Sequence, residues 1–284
     1  MKLATLLVNG AARAAALTDQ GLALLAEPGV DLGTLLRQGK TSQDLARLAA
    51  EATQFIAPAD ATFLAPSQEP PKTFCVGLNY ADHTKESPYE QPDYPTLFLR
   101  ASTSLGAHDA VVERPLVSDS LDFEGEMVVV LRSGGRHIPK DKALDCVFGY
   151  AVGNEISVRE YQFKSPQWTV GKNFDGTGTW GPYVVTADEL PAGGAGLKIE
   201  TRLNGQTMQS SNTRDMLFDV ATTISTISEA ITLQAGDVIF SGTPAGVGFG
   251  RTPKLYMKHG DVVEVEIERI GLLRNRIQDE QKAG

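Results

Sequence analysis

The chain has 284 residues, 42% of them hydrophobic and 21% charged, with a formal net charge of −9, a composition typical of a globular protein with one large core, or one domain plus a small appendage. Because no run of Lys or Arg offsets the acidic balance, we expect small-molecule partners rather than nucleic acid or an anionic membrane surface. The two cysteines lie outside any CxxC pattern and no stretch approaches about 20 apolar residues, which predicts a cytoplasmic protein without disulfides, thiolate metal sites or membrane spans.

The first 66 residues predict a small leading unit of mixed structure. Its expected elements, in chain order, are strands over 3–8 and 14–17 and helices over 32–38 and 42–54. The stretch APSQEPPK at 65–72 has three prolines and no hydrophobic periodicity, so it is the best candidate for a linker. We therefore expect a small N-terminal α+β domain over 1–66 and a larger domain over 67–284.

The larger unit is rich in short β-like runs. Strands are expected over 74–76, 96–99, 126–131, 148–154, 181–186, 197–203, 237–241 and 262–267. Helices are expected over 140–143, 158–163 and 216–231, the last with apolar residues near a 3.6-residue period. Strands without regularly alternating helices predict an α+β fold with a mixed or antiparallel sheet, not a doubly wound nucleotide-binding fold.

Two glutamates, Glu124 and Glu126, stand two residues apart in the sequence LDFEGEMVVVL, at the start of an apolar run. Residues i and i+2 of a strand point to the same face, so both carboxylates should converge. In a core strand they would suffer desolvation and mutual repulsion, which a hard divalent cation would relieve. For an isolated Glu-x-Glu motif a solvated strand end is the commoner explanation.

The order of several motifs resembles the fumarylacetoacetate hydrolase family over about residues 73–277. The motifs are GLNYADH at 77–83, DFEGE at 122–126, NEISVREYQ at 154–162, QWTVGKNFD at 167–175, NTRDM at 212–216 and SGTPAGVG at 241–248. The resemblance implies a β-rich, mixed-sheet roll with a small N-terminal domain. It also implies a homodimer.

The resemblance further implies a Mg²⁺ or Mn²⁺ site formed by Glu124, Glu126 and Glu155. The family most often has Asp at the third position, so Glu155 adds one methylene to that ligand arm. Such a site consists of oxygen ligands alone, which disfavours zinc.

By the same resemblance the substrate is a 2-oxo acid or its enol. Lys172 would stabilise negative charge on the keto oxygen, and Tyr80, Arg159, Gln162 and Thr243 would line the substrate site. Without the resemblance, Lys172, Arg159, Gln162 and Thr243 each have an ordinary structural explanation. Those alternatives are a surface lysine, a surface salt bridge, a solvated helix face and a plain glycine-rich turn.

His83 and Glu86 are three residues apart, which places them on one face of a short helix. The resemblance makes them a water-activating pair, in which Glu86 orients His83 and His83 removes a proton from water. The alternative is an exposed His-Glu pair in a polar segment. The surrounding residues 79–93 are rich in prolines and acids and predict a mobile lid over the substrate.

Together these features predict a metal-dependent hydrolase that cleaves a C–C bond in a 2,4-dioxo acid such as fumarylpyruvate or acetylpyruvate, as a step in aromatic catabolism. The same site would suit an oxaloacetate-type decarboxylase or a hydroxymuconate-type isomerase. A non-catalytic protein that binds a metal or small molecule is the alternative from another class.

Overall fold

Strands form most of the regular structure in residues 1–86 and 90–282, the part of the chain that the computed structural model describes. The strands are β1 (Lys2–Val8), β2 (Ala11–Thr18), β3 (Gly21–Leu24), β4 (Phe55–Ile56), β5 (Phe63–Leu64), β6 (Thr73–Gly77), β7 (Thr96–Leu99), β8 (Leu105–Gly106), β9 (Val111–Arg114), β10 (Leu121–Asp122), β11 (Gly125–Leu131), β12 (Val147–Glu155), β13 (Ser157–Val158), β14 (Gly178–Thr186), β15 (Lys198–Leu203), β16 (Gln206–Asn212), β17 (Val238–Phe240), β18 (Val262–Ile267) and β19 (Gly271–Asp279). The α-helices are α1 (Leu32–Arg37), α2 (Ser42–Ala50), α3 (Ala81–Glu86), α4 (Lys140–Ala143), α5 (Arg159–Gln162) and α6 (Val220–Ala230). Within those described ranges no helix is both long and apolar enough to cross a bilayer.

Two mixed sheets contain nearly all of these strands. The larger sheet has the order β4-β3-β2-β1-β14-β12-β11-β17-β6-β7, with β5 beside β1 and β8 beside β14. The smaller sheet has the order β16-β15-β18-β19-β9, and β10 pairs with β13 alone. Most pairs are antiparallel, but β17 with β6, β14 with β8 and β19 with β9 are parallel. The predicted α+β class with a mixed sheet is confirmed.

The N-terminal residues form strands that continue the large sheet and two helices that are capped locally. The Asp31 carboxylate accepts the Thr34 N–H at 2.7 Å at the start of α1, and Thr41 and Asp44 form a capping box at the start of α2. These bonds satisfy N–H groups that lack a partner within the helix. Strand β1 also pairs with β14, so the sheet runs from the leading residues into the rest of the chain. The boundary at residue 66 stays a prediction.

The central strands β11 and β12 are buried along their whole lengths. One face of β11, with Met127 and Val129, packs in a core with residues of β15 and β18. The other face, with Val128 and Val130, packs with Trp180 and α1. Burial of both faces explains why β11 has a continuous apolar run instead of an alternating pattern. The two strands therefore give firm support to the glutamates at their ends.

The sequence pattern does not predict three strands of the smaller sheet, β9, β16 and β19. Strand β19 has charged residues between buried positions such as Leu273 and Asn275, and β16 is largely polar, so neither has a clear apolar period. The buried Asn275 Nδ2 donates to the carbonyl oxygens of residues 107 and 110, each at 2.9 Å. The long helix begins only at Val220, because Asp219 caps it.

Candidate active site

The antiparallel pairing of β11 with β12 brings three glutamates together. Gly125 pairs with Asn154, and the Glu155 N–H donates to the carbonyl oxygen of Glu124 at 2.8 Å. One carboxylate oxygen from each of Glu124, Glu126 and Glu155 lies within 4.8 Å of the others, and all three residues are buried. This carboxylate triad is compatible with a divalent metal ion.

Two buried cations balance part of the negative charge. Lys172 Nζ lies 2.8 Å from Glu124 Oε2 and 3.2 Å from Glu155 Oε2. The Arg159 guanidinium lies 2.8 Å from Asp122 and 2.5 Å from Glu124. Burial acts to raise the pKa of Glu124, but the charges of Lys172 and Arg159 hold that pKa well below its usual range. Because both cations are buried, neither is the surface residue that the sequence alone allowed.

Of the three carboxylates in the triad, Glu126 has the least compensation of its negative charge by neighbouring groups of the described residues. Its Oε2 accepts the Gly242 N–H at 2.7 Å, whereas Oε1 has no hydrogen-bond partner among the described residues. Burial, together with the charges of Glu155 and Glu124, raises the pKa of Glu126 well above its usual range. An unpaired buried oxygen beside two more carboxylates fits Mg²⁺ or Mn²⁺, which take oxygen ligands.

Sequence reasoning missed two residues that hold this arrangement in place, Arg100 and Gln209. Arg100 Nε donates to Glu155 Oε1 at 3.1 Å. Gln209 accepts the Gly125 N–H at 3.0 Å and donates to the Thr243 hydroxyl at 2.8 Å. Arg100 and Glu155 are 55 residues apart, and Gln209 and Gly125 are 84 apart. No local pattern in the sequence could have indicated these contacts.

The triad adjoins a cleft with about 470 Å³ of unfilled space, its open mouth included. Eight of the ten residues that the sequence analysis placed in the site line this cleft: His83, Glu86, Glu124, Glu126, Arg159, Gln162, Lys172 and Thr243. Apolar side chains, including Phe163, Trp168 and Phe249, line much of the rest. A concave apolar surface with a few convergent polar groups is typical of a small-molecule site.

Tyr80 and Glu155 do not line the cleft. Glu155 lies in the triad, where its carboxylate contacts Lys172 and Arg100. Tyr80 is buried, and burial raises the pKa of its hydroxyl, with a further contribution from the charge of Glu126. Tyr80 therefore lies near the triad, but its side chain does not line the cleft in which a small molecule would bind.

Arg159 offers an unused hydrogen-bond donor. Its Nη1 donates to Gln162 Oε1 at 3.0 Å, while the buried Nη2 has no partner in the described part of the chain. The Thr243 hydroxyl is already used within the protein, because it donates to the Gly125 carbonyl oxygen at 2.9 Å. A free N–H of a cleft-lining arginine is well suited to bind a carboxylate.

His83 and Glu86 lie on the short helix α3 and both line the cleft. His83 Nδ1 lies 3.8 Å from Glu86 Oε2, too far for a hydrogen bond, and the same Glu86 oxygen accepts the Gly246 N–H at 2.8 Å. Burial acts to raise the pKa of Glu86, but His83 and the Gly246 N–H together lower it. His83 is buried, so the pair is not a freely exposed one. Residues 87–89 of the predicted lid lie outside the described residues, and the lid stays a prediction.

The comparison with protein families decides the membership of the chain. The family model described as fumarylacetoacetate (FAA) hydrolase C-terminal matches residues 72–278. The chain belongs to the fumarylacetoacetate hydrolase family. The resemblance of its motifs is thereby confirmed.

Individual relatives agree with this assignment. The mitochondrial oxaloacetate tautomerase Fahd2a of Rattus norvegicus is 40% identical over 245 residues, which cover 85% of this chain and 78% of that protein. The fumarylacetoacetate hydrolase structure from Exiguobacterium antarcticum is 33% identical with a TM-score of 0.83, covering 99% of this chain and 100% of that one. The maleylpyruvate hydrolase of Sphingobium sp. SYK-6, solved with manganese(II) and pyruvate, has a TM-score of 0.82 at 24% identity, over 99% of this chain and 100% of that one. The family fold predicted from the sequence is confirmed.

Proposed function

We propose that the protein is a metal-dependent enzyme that interconverts the keto and enol forms of a short 2-oxo acid, with oxaloacetate as the first substrate to test. The observation that carries the proposal is that the carboxylate triad adjoins a cleft lined by Lys172 and by Arg159, whose Nη2 has no partner among the described residues. The identity to a protein named oxaloacetate tautomerase supports the choice of substrate.

The residues of the cleft would have different roles in such a reaction. When bound at the triad, a divalent cation would supply positive charge that stabilises an enolate. The free N–H of Arg159 would bind the substrate carboxylate, and Lys172 would stabilise charge on the keto oxygen. His83, which lines the cleft, would remove a proton from C3 as the C–H electron pair moves into the enolate, and would return a proton in the reverse direction.

C–C bond hydrolysis of a 2,4-dioxo acid is the second candidate, and the position of His83 and Glu86, which both line the cleft, favours it. In that reaction His83 would take a proton from water, and the resulting hydroxide would add to the C4 carbonyl. The C3–C4 bond would then break, its electron pair forming the enolate of pyruvate, which is protonated at C3. The products would be pyruvate and a carboxylic acid, so the two candidates differ in whether a bond between carbons is cleaved.

The deciding experiment gives the Mn²⁺-loaded protein enolic oxaloacetate, acetylpyruvate and fumarylpyruvate in parallel. Ketonisation is followed by loss of enol absorbance, and pyruvate and carboxylic acids are identified by mass. We expect rapid ketonisation of oxaloacetate without pyruvate formation. Pyruvate from an acylpyruvate would establish hydrolysis, pyruvate and CO₂ from oxaloacetate would establish decarboxylation, and no turnover of any compound would favour a binding protein.

A substitution of His83 further distinguishes the two candidate reactions. His83→Asn should abolish hydrolysis of an acylpyruvate, because water is no longer deprotonated, and should slow ketonisation. Glu113→Gln, which changes an exposed glutamate of β9, serves as the control. Unchanged turnover of every substrate by His83→Asn would contradict both assignments of His83.

A further inference from the structure

Arg100 is a buried arginine at the end of β7, beside the carboxylate triad. Its exposed fraction is 4%, and every nitrogen of its guanidinium has a partner. Nε donates to Glu155 Oε1 at 3.1 Å, Nη1 to the hydroxyls of Ser104 and Thr177 at 3.4 and 3.2 Å, and Nη2 to the Ile156 carbonyl oxygen at 2.8 Å. The guanidinium therefore holds both the side chain of Glu155 and the backbone of the next residue.

This combination of contacts requires the planar fork of arginine. A lysine has one nitrogen and could replace at most part of the set. The space is also closely fitted, because a Cβ atom added at Gly178 would lie 2.9 Å from Nη1 of Arg100 and 3.1 Å from its Cδ. The position of the guanidinium is thus fixed from several sides.

Glu155 needs such support more than an aspartate would. A glutamate has one more rotatable bond than an aspartate, and ordering it costs more side-chain entropy. Lys172 donates to Oε2 of Glu155 at 3.2 Å, whereas Arg100 Nε donates to Oε1 at 3.1 Å. Without Arg100 the Glu155 carboxylate could turn away from Glu124 and Glu126.

We propose that Arg100 is a positioning residue that fixes the Glu155 carboxylate for binding of a divalent cation. This inference rests on the metal site of the proposed function. Arg100 would have two opposite effects on the affinity for a metal ion. Its hydrogen bond orients the Glu155 carboxylate, whereas its positive charge repels a cation. Residues that orient metal ligands typically change affinity by about 10- to 100-fold when they are replaced, so we expect orientation to outweigh repulsion.

The test measures binding of Mn²⁺ alone, by the loss of the electron paramagnetic resonance signal of the free ion. Arg100→Met should weaken Mn²⁺ binding by about tenfold or more, and Arg100→Lys by less. Lys72→Met is the matched control, because it removes the partner of the buried Asp237 carboxylate, 3.0 Å away. Asp237 lies beside Leu131, whose N–H donates to its carbonyl oxygen. Leu131 is five residues from Glu126 along β11, a distance of about 16 Å. Because Lys72→Met acts this far from the triad, it should not change Mn²⁺ affinity.

A second background shows whether Arg100 acts through Glu155. In the Glu155→Asp protein the shorter side chain withdraws from Arg100, so adding Arg100→Lys should change Mn²⁺ affinity by less than about twofold. Equal effects of Arg100→Lys in both backgrounds would overturn the inference, and this cycle decides the matter if Arg100→Met does not fold. Binding by folded Arg100→Met that is unchanged or tighter would also overturn it. If the unaltered protein binds no Mn²⁺, the metal site of the proposed function fails instead.

Discussion

Replacing Glu126 by glutamine should stabilise the metal-free protein and should reduce the further stabilisation that a bound metal ion gives. Glu126 is buried, and its Oε1 has no hydrogen-bond partner among the described residues. Glutamine has nearly the same shape, can accept the Gly242 N–H and can donate to a neighbouring carboxylate. The substitution therefore replaces a buried group that can ionise by a neutral one of the same shape, and it opens no cavity.

The size of the first effect follows from the unpaired oxygen. An unsatisfied buried polar group costs about 1 to 3 kcal/mol. For a chain of this size 1 kcal/mol corresponds to about 2 °C, so Glu126→Gln should raise the melting temperature in EDTA by about 2 to 6 °C. With Mn²⁺ at about 100 times its dissociation constant, the unaltered protein should gain about 2.7 kcal/mol, whereas a variant with roughly 100-fold weaker binding gains only about 0.4 kcal/mol.

The stability of the metal-free protein should also depend on pH. Burial and the neighbouring carboxylates raise the pKa of Glu126 above its ordinary value of 4.5, so the folded state keeps a proton that the unfolded state has released. The stabilisation from that proton is complete below pH 4.5 and is lost as pH rises through the higher folded-state pKa. Glu126→Gln should lack this part of the pH dependence.

Thermal melts of both proteins in EDTA and in Mn²⁺, at several pH values, measure all three effects. Glu113→Gln, at an exposed glutamate, controls for the loss of a negative charge. A Glu126→Gln protein that is less stable than the unaltered protein in EDTA would refute the reasoning about the unpaired oxygen. An undiminished shift with Mn²⁺ would show that Glu126 does not bind the ion.

Three further substitutions test the surroundings of the triad. Lys172→Met should lower the free energy of unfolding in EDTA by about 3 to 5 kcal/mol, because two buried carboxylates lose their shared cation; a urea midpoint equal to that of the unaltered protein would contradict this. Arg159→Lys should raise KM for the 2-oxo acid more than it lowers kcat, since the single nitrogen of lysine cannot occupy both the position that pairs with Asp122 and the position of Nη2; steady-state kinetics with a loss in kcat alone would argue against carboxylate binding. Gln209→Leu should cost about 1 to 3 kcal/mol, because the Gly125 N–H loses its acceptor in the core, and unchanged urea unfolding would show that another group replaces it.

Local patterns predicted the central strand and the elements that support it. The apolar run after Glu126 matches β11 because a strand buried on both faces needs apolar residues at every position. The polar strands β16 and β19 were missed, since their stability comes from pairing with distant strands and not from their own residues. Gln209 belongs to β16. Because the sequence pattern did not predict this strand, it also gave no reason to place Gln209 in the site.

By itself the sequence predicted that the carboxylates of Glu124 and Glu126 converge, because residues two apart on a strand point to the same face. Only the tertiary structure decided how the charge is balanced. Register between β11 and β12 brings in Glu155, and the path of the chain after β7 brings Arg100 to it. Lys172 compensates Glu124 and Glu155, but one oxygen of Glu126 has no partner in the part of the chain that the structure describes. Such pairing depends on contacts between residues far apart in the chain, which residue spacing along a single strand does not encode.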